Sequence, residues 1–140
     1  MIVKLLYVGF AVDDADRTRR TFCDLFGLPG QAMAPDPVLG TERAARIPFP
    51  NDCWLYVMQS SRADSPVGQF LQRRGPGLER VAFETDDIEA EFERVRQAGV
   101  PMGDEALVDS GGMRRFAVPG SGPRAQIHGV TVEVVQPAPG

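Results

Sequence analysis

Histidine, lysine and tryptophan each occur once in this 140-residue chain, as His128, Lys4 and Trp54. The lone His128 stands in a turn ahead of the last strand, where an exposed loop role is expected. Cysteine is nearly as scarce. Cys23 and Cys53 form no CxxC or zinc spacing, which excludes a cysteine-based metal site and leaves a reduced, cytoplasmic protein as the plain reading. Cys23 is expected in the core of the first helix. No apolar run approaches the roughly 20 residues of a membrane span. The N-terminal run MIVKLLYVGFAVDD has no cleavage site after it and reads as a strand, not a signal peptide. Positive charge is in deficit: the formal net charge is -4 and no basic stripe stands out, so neither nucleic acid nor membrane is an expected partner.

What is present suits one compact domain spanning 1–140. Hydrophobic residues make up 43% and charged residues 24%, enough for a core and too balanced for disorder. The main organising feature is an internal repeat. Val8-Gly9-Phe10-Ala11-Val12-Asp13-Asp14-Ala15 matches Val81-Ala82-Phe83-Glu84-Thr85-Asp86-Asp87-Ile88. Each run is a strand ending in an aspartate pair that can cap a helix. The helices that follow present Phe22, Leu25 and Phe26 in one copy and Ile88, Phe92 and Val95 in the other. They exit through Gly27-Leu28-Pro29 and Gly99-Val100-Pro101. The closing strands also match, Leu55 to Ser60 against Val132 to Pro137. Two further strands fit in each copy, near 30–35 and 43–49, and near 104–109 and 113–118. A short helix, about 65–74, joins module one (about 1–62) to module two (about 76–137). The expected fold is α+β: two βαβββ modules in a pseudo-twofold arrangement, forming a half-open curved barrel.

Strand alternation sorts the side chains. Val8, Phe10, Val12, Val81 and Phe83 lie under the helices. The opposite faces carry Tyr7, Gly9 and Ala11; Trp54, Tyr56 and Met58; Arg80, Ala82 and Glu84; Thr131, Glu133 and Val135. Small, aromatic and charged residues make a poor core and a suitable wall for a ligand.

This repeat resembles the vicinal-oxygen-chelate (glyoxalase/bleomycin resistance/dioxygenase) superfamily over nearly the whole chain. The segment Ser65-Pro66-Val67-Gly68 through Gly75-Pro76-Gly77-Leu78, and the tail Gly129 to Pro137, resemble the methylmalonyl-CoA epimerases. That resemblance implies a divalent metal held by one residue from each of four strands. The corresponding positions here are Tyr7, Tyr56, Arg80 and Glu133, and only Glu133 keeps a ligand type. The expectation is therefore no metal and no other cofactor, and no methylmalonyl-CoA epimerase activity. An Arg80–Glu133 salt bridge flanked by two phenols is expected instead. Arg80 could hold a carboxylate or enolate oxygen, and Tyr7, Tyr56 or Glu133 could move protons. Trp54, Met58, Glu42 and Glu84 are the expected substrate-binding residues, with a solvated loop position as the alternative for Glu42. Of the Arg114-Arg115 pair, only one can face the ligand side, and surface charge is the default. The resemblance also implies a homodimer.

Three functions remain open at this point. One is a metal-independent isomerase, cyclase or lyase acting on a carbonyl compound or acyl thioester. Another is a binding protein that sequesters an antibiotic or metabolite without chemistry. In the third, the quartet is a polar plug in a scaffold that serves only assembly.

Overall fold

The computed structural model describes residues 1–37, 39–100, 107–110, 112–119 and 129–138. Its elements are β1 (Ile2–Ala11), α1 (Ala15–Phe26), β2 (Gln31–Met33), β3 (Arg43–Pro48), β4 (Trp54–Gln59), α2 (Pro66–Arg74), β5 (Gly77–Thr85), α3 (Ile88–Gln97), β6 (Val108–Ser110), β7 (Met113–Val118) and β8 (Thr131–Pro137). The βαβββ pattern thus occurs twice, with α2 between the copies, and the fold is α+β. Among the described residues, no helix is long and apolar enough to cross a membrane.

The chain divides into two compact units. One is Tyr7–Glu79; the other combines Met1–Leu6 with Arg80–Gly140. The ten-residue β1 therefore contributes to both. Strand order is β2-β3-β4-β1 in the first unit and β5-β8-β7-β6 in the second. Taken from its other end, the second order is the first with every strand replaced by its repeat equivalent. In each unit the opening and closing strands run parallel, Tyr7–Ala11 beside Trp54–Met58 and Arg80–Glu84 beside Thr131–Val135.

The repeated residues do the same work in both units. Asp14 caps α1 by accepting from the Arg17 amide at 3.0 Å, and Asp87 caps α3 by accepting from Ala90 at 3.1 Å. Gln59 at the end of β4 accepts the first helical amide, Ala15, at 2.9 Å. Gln136 at the end of β8 does the same for Ile88 at 3.0 Å. The glutamine shared by the closing strands is thus a second cap, reaching across from the sheet to satisfy an otherwise orphan donor. Gly27 ends α1 with φ 65, a left-handed conformation that a side chain would strain.

Ala15 of α1 packs on Ala45, Ile47 and Val57 of the sheet, with Val12, Phe22, Leu28 and Leu55 around them. Ile88 of α3 packs on Phe116, Val118 and Val134, with Phe92 and Val95 against them. The α3 stripe matches expectation. The α1 stripe does not: Phe22 is in the core, but Leu25 and Phe26 are 69% and 66% exposed. Both lie in the last turn of α1, which ends at Phe26. Cys23 is half-buried, not a closed core residue. The epimerase-like segment forms α2. Its Ser65 hydroxyl accepts from Gly68 at 2.9 Å and donates to the Arg62 carbonyl at 3.0 Å. A Cβ at Gly68 would collide with that carbonyl, which explains the glycine.

Candidate functional site

The two units carry different chemistry on the sheet face opposite their helices. In Tyr7–Glu79, register places Tyr7 beside Trp54, Gly9 beside Tyr56, Arg46 beside Tyr56, and Pro48 beside Trp54. Small Gly9 leaves room for the large rings on either side. Tyr7 stacks on Trp54 with centroids 5.5 Å apart and planes 17° apart. It meets Tyr56 edge-on at 5.4 Å. Such offset and T-shaped contacts suit the ring quadrupoles. The Arg46 guanidinium lies over Trp54, 3.9 Å from the ring centroid. Tyr7 and Tyr56 are buried, while Trp54 and Arg46 are half-buried.

In the other unit the matching face is ionic. Arg80 donates to Glu133 Oε2 at 3.0 Å, and Arg115 donates to Glu133 Oε1 at 3.3 Å. Their side chains are 4%, 6% and 2% exposed, for Arg80, Arg115 and Glu133 in turn. Ala82 and Ala117 flank Glu133 in register. These small neighbours let long guanidinium arms converge on one carboxylate. Burial on this scale is costly for any charge without a counter-charge, and Glu133 offers one to both guanidiniums.

The expected Arg80–Glu133 bridge is therefore present, and its residues belong to one unit. Tyr7, Tyr56 and Trp54 come together in the other. Glu84 shares the Arg80 face and is half-buried. Met58 is fully buried, so it contributes packing and not an open wall. Glu42 is exposed, and its Oε1 accepts from the Ser61 hydroxyl at 2.7 Å and amide at 3.2 Å. That is the solvated position weighed as its alternative. His128 lies outside the described residues.

Arg115 is the residue that sequence reasoning undervalued. Alternation correctly separates the pair: Arg114 points outward to Glu89 at 2.8 Å and Asp109 at 3.4 Å. Surface charge thus suits Arg114 and not Arg115. The available signal was register, because β7 carries Arg115 on the same face as Glu133 once Ala117 is paired with Glu133.

The chain belongs to the glyoxalase/bleomycin resistance protein/dioxygenase superfamily, whose family model matches residues 7–118. Among solved structures, methylmalonyl-CoA epimerases share its fold. A variant of the Streptomyces coelicolor enzyme in complex with 2-nitronate-propionyl-CoA is 23% identical, with a TM-score of 0.83, covering 99% of this chain and 100% of that one. The Mycobacterium tuberculosis enzyme is 26% identical, with a TM-score of 0.82, covering 99% and 90% respectively. A comparison with curated protein sequences gave no match.

The divalent metal implied by the epimerase resemblance does not fit the residues present. Neutral phenols such as those of Tyr7 and Tyr56 are poor ligands for a divalent cation, and each oxygen of Glu133 already accepts from a guanidinium. A permanently charged guanidinium repels a cation. Among the described residues, no group of three or more His, Cys, Asp or Glu side chains is placed to hold a metal ion.

Proposed function

We propose that this chain is a metal-independent enzyme that moves a proton on a carbonyl compound or acyl thioester, as an isomerase, cyclase or lyase. The fold it shares with the epimerases supports acyl-thioester isomerase-type chemistry. The observation that carries the metal-independent form is the buried Arg80–Glu133–Arg115 cluster. Enolate formation at the carbon next to a carbonyl puts negative charge on the carbonyl oxygen. A guanidinium fixed in advance, in surroundings that exclude water, stabilises that charge without reorganising. Glu133 orients both guanidiniums. In this reading Arg80 faces the developing oxyanion, and Glu133 of the same unit carries the proton. Methylmalonyl-CoA itself is not the expected substrate, because a single guanidinium is a different electrophile from a metal.

Deuterium exchange tests the reading. A panel of acyl-CoA thioesters and small ketones is incubated in D2O with a chelator, and mass spectrometry reads incorporation at the alpha carbon. The expected result is incorporation into at least one compound, falling about 100-fold or more in Arg80→Met, the loss typical of one oxyanion donor. No exchange with any compound, or exchange that stops with chelator and returns with metal, contradicts it.

The aromatic face favours a second reading. Tyr7, Trp54 and Tyr56 offer flat apolar surface of the kind that holds planar ligands. Saturable ligand binding with no turnover in the exchange assay would support a binding protein that sequesters an antibiotic or metabolite.

A further inference from the structure

Arg46 differs from the other buried or half-buried arginines of the described residues that meet a carboxylate. Arg80 and Arg115 meet Glu133, and Arg19 meets Asp16. Among the described residues the Arg46 guanidinium meets the Trp54 ring and no carboxylate, and, like those of Arg19 and Arg115, its Nε is buried with no hydrogen-bond partner. Its described neighbours in the sheet register carry no negative charge. Gln31 and Tyr56 flank it in register, and Ala44 and Pro48 share its face along β3. A half-buried cation with an unmet donor is destabilising, and folded proteins rarely keep one without a reason.

Geometry gives the reason. The Arg46 Cζ lies 3.9 Å from the Trp54 ring centroid, and contact with a ring uses none of a guanidinium's hydrogen bonds. Its paired N–H donors match two oxygens of an oxyanion. Trp54, with Tyr7 stacked on it, supplies flat apolar surface beside the charge. We propose that Arg46, held over Trp54, is an anion-anchoring residue, and that this face binds an aromatic or otherwise planar organic anion through its carboxylate or phosphate. All the named residues of this site belong to the Tyr7–Glu79 unit.

Trp54 is the sole tryptophan, so its fluorescence reports this face directly. The full chain is titrated with benzoate, phenyl phosphate and the neutral isostere benzamide. Benzoate or phenyl phosphate should change Trp54 emission saturably, with benzamide at least about tenfold weaker, the fold-change expected for one charge-assisted hydrogen bond. Tighter phenyl phosphate assigns a phosphate ester, and tighter benzoate a carboxylate. Arg46→Gln should erase the preference over benzamide, and Arg46→Lys should retain part of it. A melting temperature that Arg46→Gln leaves unchanged or raises supports a binding role. Equal responses to benzoate and benzamide, no saturable response at millimolar anion, or an Arg46→Gln variant that keeps the preference would overturn the proposal. The wild-type comparison decides even if a variant fails to fold. Loss of deuterium exchange would leave this result untouched, so the two readings fail separately.

Discussion

The faces opposite α1 and α3 occupy the same positions in the same strand order, yet one is a stack of rings and the other a buried ionic cluster. The helix-facing sides of the same strands stay alike, apolar in both units. The contrast separates two demands. A helix can bury its stripe only on an apolar sheet face, so those positions are constrained by folding. The other face has no such obligation and can diverge toward ligand chemistry. Tyr56 and Glu133 hold equivalent places in the closing strands, one surrounded by rings and the other by guanidiniums.

The largest effect should come from the ionic side. Glu133→Ala leaves two buried guanidiniums facing each other without their carboxylate, and should cost about 3–5 kcal/mol in denaturant unfolding. On the aromatic side, Trp54→Ala removes a half-buried ring and should cost about 2–3 kcal/mol, below the range for a fully buried one. Equal costs would show that the two faces are organised by packing alone. The helices sharpen the contrast further. Phe22→Ala removes a core contact and should cost about 2 kcal/mol, whereas Phe26→Ala on the exposed last turn of α1 should stay within about 0.5 kcal/mol. A large cost at Phe26 would mean that something covers the turn.

The smallest effect lies in two surface pairs, the half-buried Asp16–Arg19 on α1 and the more exposed Glu93–Arg96 on α3. Each carboxyl is held below its ordinary range by the hydrogen bond from its arginine. Both groups are solvated, so little stability is at stake. What there is exists above the ordinary carboxyl range and disappears as pH falls through the lowered values. Arg96→Gln should return Glu93 to ordinary titration by NMR and leave Asp16 unchanged. A Glu93 titration unaffected by Arg96→Gln would show that the pair is absent in solution.

Most of the fold was legible because it rests on local chemistry repeated twice. The aspartate caps, the Gly27 exit and the apolar stripe of α3 each announce themselves within a turn of helix. The repeat also placed Arg80 opposite Glu133. What escaped depended on register and element length. Arg115 needed the β7–β8 pairing, which no local pattern prints. Leu25 and Phe26 follow the helical period but are exposed, and periodicity carries no information about where a covering surface ends. Glu42 was weighed by its place in a loosely matched loop, where hydrogen bonding to Ser61 decides the outcome. Arg46 was overlooked because an arginine in a strand looks like surface charge until its neighbours prove neutral.

The central claim is that Arg80 and Glu133 act as one buried unit. A double-mutant cycle with Arg80→Met, Glu133→Leu and the double variant, read on unfolding free energy, tests it most directly. Arg115 remains beside Glu133 in the first variant, so that single change should cost about 2–3 kcal/mol, less than complete isolation of a buried charge. The double variant should be more stable than the sum of the single losses predicts, with a coupling of about 1–3 kcal/mol. Additive losses would contradict the account, because they would mean that neither charge feels the other.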